Sequence, residues 1–137
     1  MKLNYLTLYY LLLTLIGLPL LTLSVHAAHH GNLDPAGTWK IEITASKGQT
    51  YYPEATASIR KEAGELAGLY TTGYTGQTIE IESITLEDNQ LSFTANVNHL
   101  TLNFSGAIEG EMIKGTMSVS SPQGSMDGIF TGSRNSD

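Results

Sequence analysis

The chain of 137 residues contains no cysteine. No disulfide can form, no thiol can serve as nucleophile or metal ligand, and no lipid-modified cysteine can tether it. The folded part therefore rests on its hydrophobic core alone. Basic residues are also scarce, with seven Lys and Arg against thirteen Asp and Glu. They form no basic cluster, and such an acidic surface argues against nucleic acid and anionic membranes as partners. There is one tryptophan, Trp39, and no stretch from residue 37 onward has a useful helical period.

The long apolar run is confined to the amino terminus. "MKLNYLTLYYLLLTLIGLPLLTLSVHA" has one early charge, Lys2, and ends on Val25-His26-Ala27. It reads as a signal peptide over residues 1–27, cut before Ala28, which implies a secreted or periplasmic protein. A retained membrane anchor is the alternative, against which Pro19 and the small residues before the cut speak. Residues 28–36, "AHHGNLDPA", read as a flexible leader, and residues 37–134 suit one domain.

Within that domain, short alternating segments are separated by turn signals. The expected strands are 37–45, 54–60, 66–72, 77–87, 91–98, 100–109, 112–120 and 125–134. The turns set their register. Asp88-Asn89 places Leu86 opposite Leu91, and Asn98-His99 places Val97 opposite Leu100. Gly110-Glu111 pairs Ile108 with Ile113, and Ser121-Pro122-Gln123-Gly124 pairs Val119 with Met126. Every register sets apolar against apolar. A change of parity between Ile81 and Ile84 predicts a bulge near Ser83.

Glycines recur in mid-strand on the face that carries the large residues, as in Leu66-Ala-Gly68-Leu-Tyr70, Phe104-Ser-Gly106-Ala-Ile108, Ile113-Lys-Gly115-Thr-Met117 and Met126-Asp-Gly128-Ile-Phe130. Glycine there permits strong coiling, with an aromatic ring such as Phe130 covering Gly115. The expected fold is all-β: an eight-stranded antiparallel up-and-down barrel, with an open or two-layered sandwich as the alternative. Alternate connections then fall at opposite ends. The tight ones, 61–65, 88–89 and 110–111, seal one end, while 46–53, 73–76, 98–99 and 121–124 form a mouth.

Gly37-Thr38-Trp39 resembles the Gly-x-Trp signature of lipocalins, avidins and other calycin-type barrels. That resemblance implies a basic residue at the end of the last strand packing across the tryptophan, the position of Arg134. Leu66-Ala-Gly-Leu-Tyr70 is similar to the avidin segment whose tyrosine contacts biotin. This chain lacks the further tryptophans of such sites and has Ile41 where avidins place a polar ligand contact, so biotin is not the expected ligand. The start "GTWK" with glycine-rich repeats also resembles small uncharacterised exported bacterial modules.

Trp39 and Arg134 are read as structural, closing the floor. The candidate ligand-binding set at the mouth is Tyr51, Tyr52, Tyr70, Tyr74, His99, Ile43, Val97, Leu100, Val119 and Met126, with Ala55 beside them. The tyrosines could form a rim for a flat ligand or simply cover loop backbone. His29 and His30 have no third ligand at fixed spacing, so no metal is expected. His99 has no serine or aspartate tied to it, so no catalytic triad is expected. Glu80 and Glu82 point outward and read as a solvated face. No cofactor is expected. The leading function is a non-enzymatic barrel that holds a small apolar or amphipathic ligand. The alternative is an interaction module with a filled core, binding a protein or glycan through its outside or its tyrosine-rich loops.

Overall fold

The computed structural model describes residues 33–45 and 50–136, without the side chains of residues 45 and 50–53. The signal segment 1–27, residues 28–32 of the leader with His29 and His30, and the connection 46–49 lie outside the described residues. The strands are β1 (Gly37–Ala45), β2 (Thr50–Glu62), β3 (Glu65–Thr71), β4 (Thr78–Glu87), β5 (Gln90–Val97), β6 (Leu100–Glu109), β7 (Met112–Ser121) and β8 (Gly124–Arg134). Each pairs antiparallel with the next, and β1 pairs with β8. The fold is thus an eight-stranded antiparallel up-and-down barrel, closed on itself, and not an open sandwich.

The registers anticipated from the turns are those observed. Val97 faces Leu100, Leu86 faces Leu91, Ile108 faces Ile113, Val119 faces Met126 and Gly115 faces Phe130. Four of the two-residue turns place their first residue at positive φ: Ala63 at 49°, Asp88 and Asn98 at 56° and Gly110 at 62°. Asp, Asn and Gly tolerate that conformation best. The anticipated bulge in β4 is present between Ile81 and Ser83, so Glu82 and Ser83 are both exposed before Ile84 turns back toward the core.

β2 departs from expectation. It starts at Thr50 rather than 54, which moves Tyr51 and Tyr52 out of the mouth loop and into a strand. Thr, Tyr and Tyr are strong strand formers, and the strand runs on through Pro53. The chain accommodates the proline with register shifts between Ile41 and Ile43 and again between Ile43 and Thr44. At such irregularities a residue without an N–H costs no ladder bond.

The lower interior is filled. Trp39, Ile41, Ala57, Ile59, Leu91, Ile108 and Ile113 are buried there. Above them Phe104 stacks on Phe93 at 4.5 Å, meets Phe130 edge-on at 5.2 Å and lies 5.6 Å from Tyr70. Gly106 and Gly115 sit side by side in β6 and β7 for a steric reason. A Cβ on Gly115 would lie 2.0 Å from the Ser105 carbonyl oxygen and 2.4 Å from the Gly106 Cα. The immovable neighbour is backbone, so close approach of two strands, more than cover by Phe130, requires the glycine.

The floor is built around Arg134, directly opposite Trp39 in the β1–β8 ladder. Its guanidinium lies 4.2 Å from the indole centroid. It donates to the carbonyls of Asp34 (2.8 Å) and Ala36, and its Nε lies 2.9 Å from Glu111 Oε2. The indole N–H donates to the Pro35 carbonyl at 2.9 Å. Residues 33–36 thus run across the sealed end, with Pro35 buried, Leu33 packed on the core and Asp34 3.2 Å from Lys61. The glycine of Gly-x-Trp has a clear cause: Gly37 has φ of 136°, and a Cβ there would sit 2.7 Å from an Arg134 guanidinium nitrogen.

Candidate functional site

The end away from Trp39 is not filled. The inward positions of β1 and β2 there are Ile43 and Ala55, those of β5, β6 and β7 are Val97, Leu102 and Val119, and β3 contributes Tyr70. Together with Leu100, Asn98 and the 72–75 turn they enclose a cavity of about 200 Å³ that opens at the mouth. Alternation places these side chains: in β3, β5, β6 and β7 the inward parity is the same at the mouth as at the floor, while β4 changes it at its bulge. Alanine at 55 and valines at 97 and 119 supply little volume where the floor uses Trp and Ile, which leaves the space.

Tyr70 sets the character of the cavity. Its ring leans on Phe104, it is only 3% exposed, and burial pushes its phenol up to about 12, so it is a neutral hydrogen-bond donor. No other described group contributes to that shift, and no buried side-chain oxygen or nitrogen among the described residues lacks a partner. Tyr70 lines the cavity. At the rim, the Thr72 and Thr75 hydroxyls bond each other at 2.6 Å and both receive the Gln77 amide. That network fixes the turn and leaves Tyr74 83% exposed.

Of the anticipated residues, the structure gathers Tyr70, Tyr74, Ile43, Val97, Leu100 and Val119, with Ala55, around one space. It does not bring His99 or Met126 into the lining: His99 is exposed in the β5–β6 turn, and Met126 packs half-buried against the core. The side chains of Tyr51 and Tyr52 lie outside the described residues. Asn98, Thr72, Gly73, Thr75 and Leu102 were missed. Leu102 could have been found, because its expected pairing with Ala95 already placed it inward.

A second, larger hollow of about 560 Å³ lies on the outside, as an open trough across β4 to β8. Its outward residues are mainly hydroxyls and amides, and they already bond one another. Ser92 meets Ser105 at 3.0 Å and Thr94 donates to Asn103 at 2.9 Å. Glu80 and Glu82 are exposed, and Glu82 accepts from Asn96. Among the described residues no three His, Asp or Glu side chains converge.

No family model and no curated protein matches this sequence. Among solved structures, the chain is similar to zebrafish ileal bile acid-binding protein complexed with cholic acid. The identity is 12%, the match covers 73% of this chain and 98% of that one, and the TM-score is 0.42.

Proposed function

We propose that this protein is an exported, non-enzymatic barrel that binds a small apolar or amphipathic ligand in the cavity at its open end. The observation that carries this reading is the asymmetry of the interior. One end is packed and clamped by Trp39 and Arg134, while the other keeps a cavity of about 200 Å³ with a mostly apolar wall. An eight-stranded barrel is just wide enough either to fill itself or to hold one small ligand. Small side chains at the mouth favour the second outcome. Affinity would come from apolar burial, about 25 cal/mol for each Å² removed from water.

Native mass spectrometry of the exported protein tests this directly, with Val119→Phe as the control. A co-purified small molecule that is lost in Val119→Phe, while the barrel stays folded, is the expected result. A bare protein that also takes up no small apolar compound would refute it.

A second reading, an interaction module that binds a glycan or protein through its outside, draws support from the trough across β4 to β8. Pull-down from the exported fraction with Thr94→Lys and Thr116→Lys variants separates the two, since these outward changes leave the cavity intact.

A further inference from the structure

We infer that the cavity selects an uncharged ligand that carries a hydrogen-bond acceptor, such as a ketone, and seats that acceptor inward against the Tyr70 hydroxyl. This rests on the cavity being a binding site, as proposed above, and adds which chemistry it accepts.

Three observations lead there. First, no described residue of the lining is charged: Ile43, Ala55, Val97, Leu102 and Val119 form the wall, and the polar groups are hydroxyls and the Asn98 amide. An ionised carboxylate or ammonium drawn inside would lose its hydration without gaining a partner, so it would stay out or enter only after changing its protonation. Second, Tyr70 lines this wall with its ring 5.6 Å from Phe104, it carries the one phenol among the buried residues of the lining, and burial keeps that phenol neutral. A ligand that turned only alkyl groups toward it would displace water from the hydroxyl without replacing the hydrogen bond, which lowers affinity. Third, the volume bounds the size. A cavity of about 150 Å³ with a similar apolar wall accommodates benzene, so about 200 Å³ suits roughly eight to ten non-hydrogen atoms. That is a single ring or a short chain with one polar group.

The opposite orientation, tail inward with a carboxylate at the mouth, would leave Tyr70 unpaired. It would also need a cation at the rim; the candidates are His99, in the turn between the lining residues Asn98 and Leu100, and Lys47, in the connection outside the described residues.

Isosteric probes separate these possibilities. Acetophenone, benzoate and ethylbenzene share a ring and differ only in the attached group; 2-octanone and octanoate repeat the comparison on a chain. Binding is followed by NMR through the methyl resonances of Val97 and Val119. At pH 7.5 both ketones are expected to bind, each at least about tenfold more tightly than its carboxylate. Octanoate affinity should rise as pH falls toward the carboxyl's own pKa, with no such trend for 2-octanone. Tyr70→Phe should weaken acetophenone about fivefold or more and leave ethylbenzene unchanged or tighter. Carboxylates that match the ketones, above all if Lys47→Ala then abolishes their binding, overturn the inference while leaving the cavity as a binding site. So does a Tyr70→Phe change that affects acetophenone and ethylbenzene alike. If neither the ketones nor ethylbenzene move the Val97 and Val119 methyls, the binding function falls as well.

Discussion

Single residues here act through what stands next to them rather than through their type. Gly115 and Gly132 are both mid-strand glycines, yet their neighbours differ. A Cβ on Gly115 meets fixed backbone at 2.0 Å, while one on Gly132 meets the end of the Ile41 side chain at 3.2 Å. Gly115→Ala is expected to cost about 3 kcal/mol or more and Gly132→Ala about 1 kcal/mol, as read from urea unfolding midpoints at constant m. Tyr70 gives a second test at this scale. Its phenol ionises at about 12 when folded, against an ordinary value of 10.0. Because the folded pKa is the higher one, its stabilising effect is whole below pH 10 and is lost as pH rises through 12. Absorbance titration at 295 nm should show one tyrosine ionising near pH 12, and this step should vanish in Tyr70→Phe. The register from the turn at Gly110 sets Gly106 beside Gly115, but not how closely the two strands approach. The alternation showed that Tyr70 faces inward, but that it lines an open space depends on side chains from five other strands.

At the scale of elements, the sealed end is a joint between β1, β8 and the segment 33–36. Arg134 serves all three, so Arg134→Met should cost about 2–4 kcal/mol and red-shift Trp39 fluorescence. Arg134→Lys should restore only part of this, because an ammonium cannot span the carbonyls of Asp34 and Ala36 while lying flat on the indole. The Asp34 carboxyl is held below its ordinary range by the Ala36 amide first and by Lys61 second. A depressed carboxyl stabilises above its unfolded pKa, and the contribution fades as pH falls through the folded one. The stability difference between the natural chain and Asp34→Asn should therefore be whole well above pH 3.8 and fade as pH falls below that value. The pairing of Trp39 with Arg134 was legible from sequence. The strap formed by residues 33–36 was not, because the Asp34-Pro35 turn signal does not announce what the segment will cross.

For the whole molecule, closure is the decisive fact. β1 and β8, the first and last strands of the domain, join through seven registered pairs from Trp39–Arg134 to Ala45–Gly128. Every strand has a partner on both sides, the shortest seam being β3–β4, with three pairs from Leu69–Glu80 to Thr71–Thr78. The interior becomes a single compartment whose lower part is solid and whose upper part is not. A ligand in the upper part binds the folded state alone, so at a hundredfold excess over its Kd it should raise the unfolding free energy by about 2.7 kcal/mol, measurable as a higher Tm. Val119→Phe, which fills that part, should remove the ligand-dependent shift and leave the unliganded Tm equal or higher.

Sequence alone determined the strands, their order and the registers from β4 to β8, because a tight turn joined to alternation admits only one pairing that keeps apolar against apolar. It also marked the bulge near Ser83, and the resemblance of Gly37-Thr38-Trp39 to calycin-type barrels marked Trp39 and Arg134 as partners. Tertiary structure decided the rest: where β2 begins, which residues strap the floor, and how much space survives at the mouth. Those depend on volumes and distances summed over strands far apart in the chain, and alternation carries the direction of a side chain but not the room it finds there.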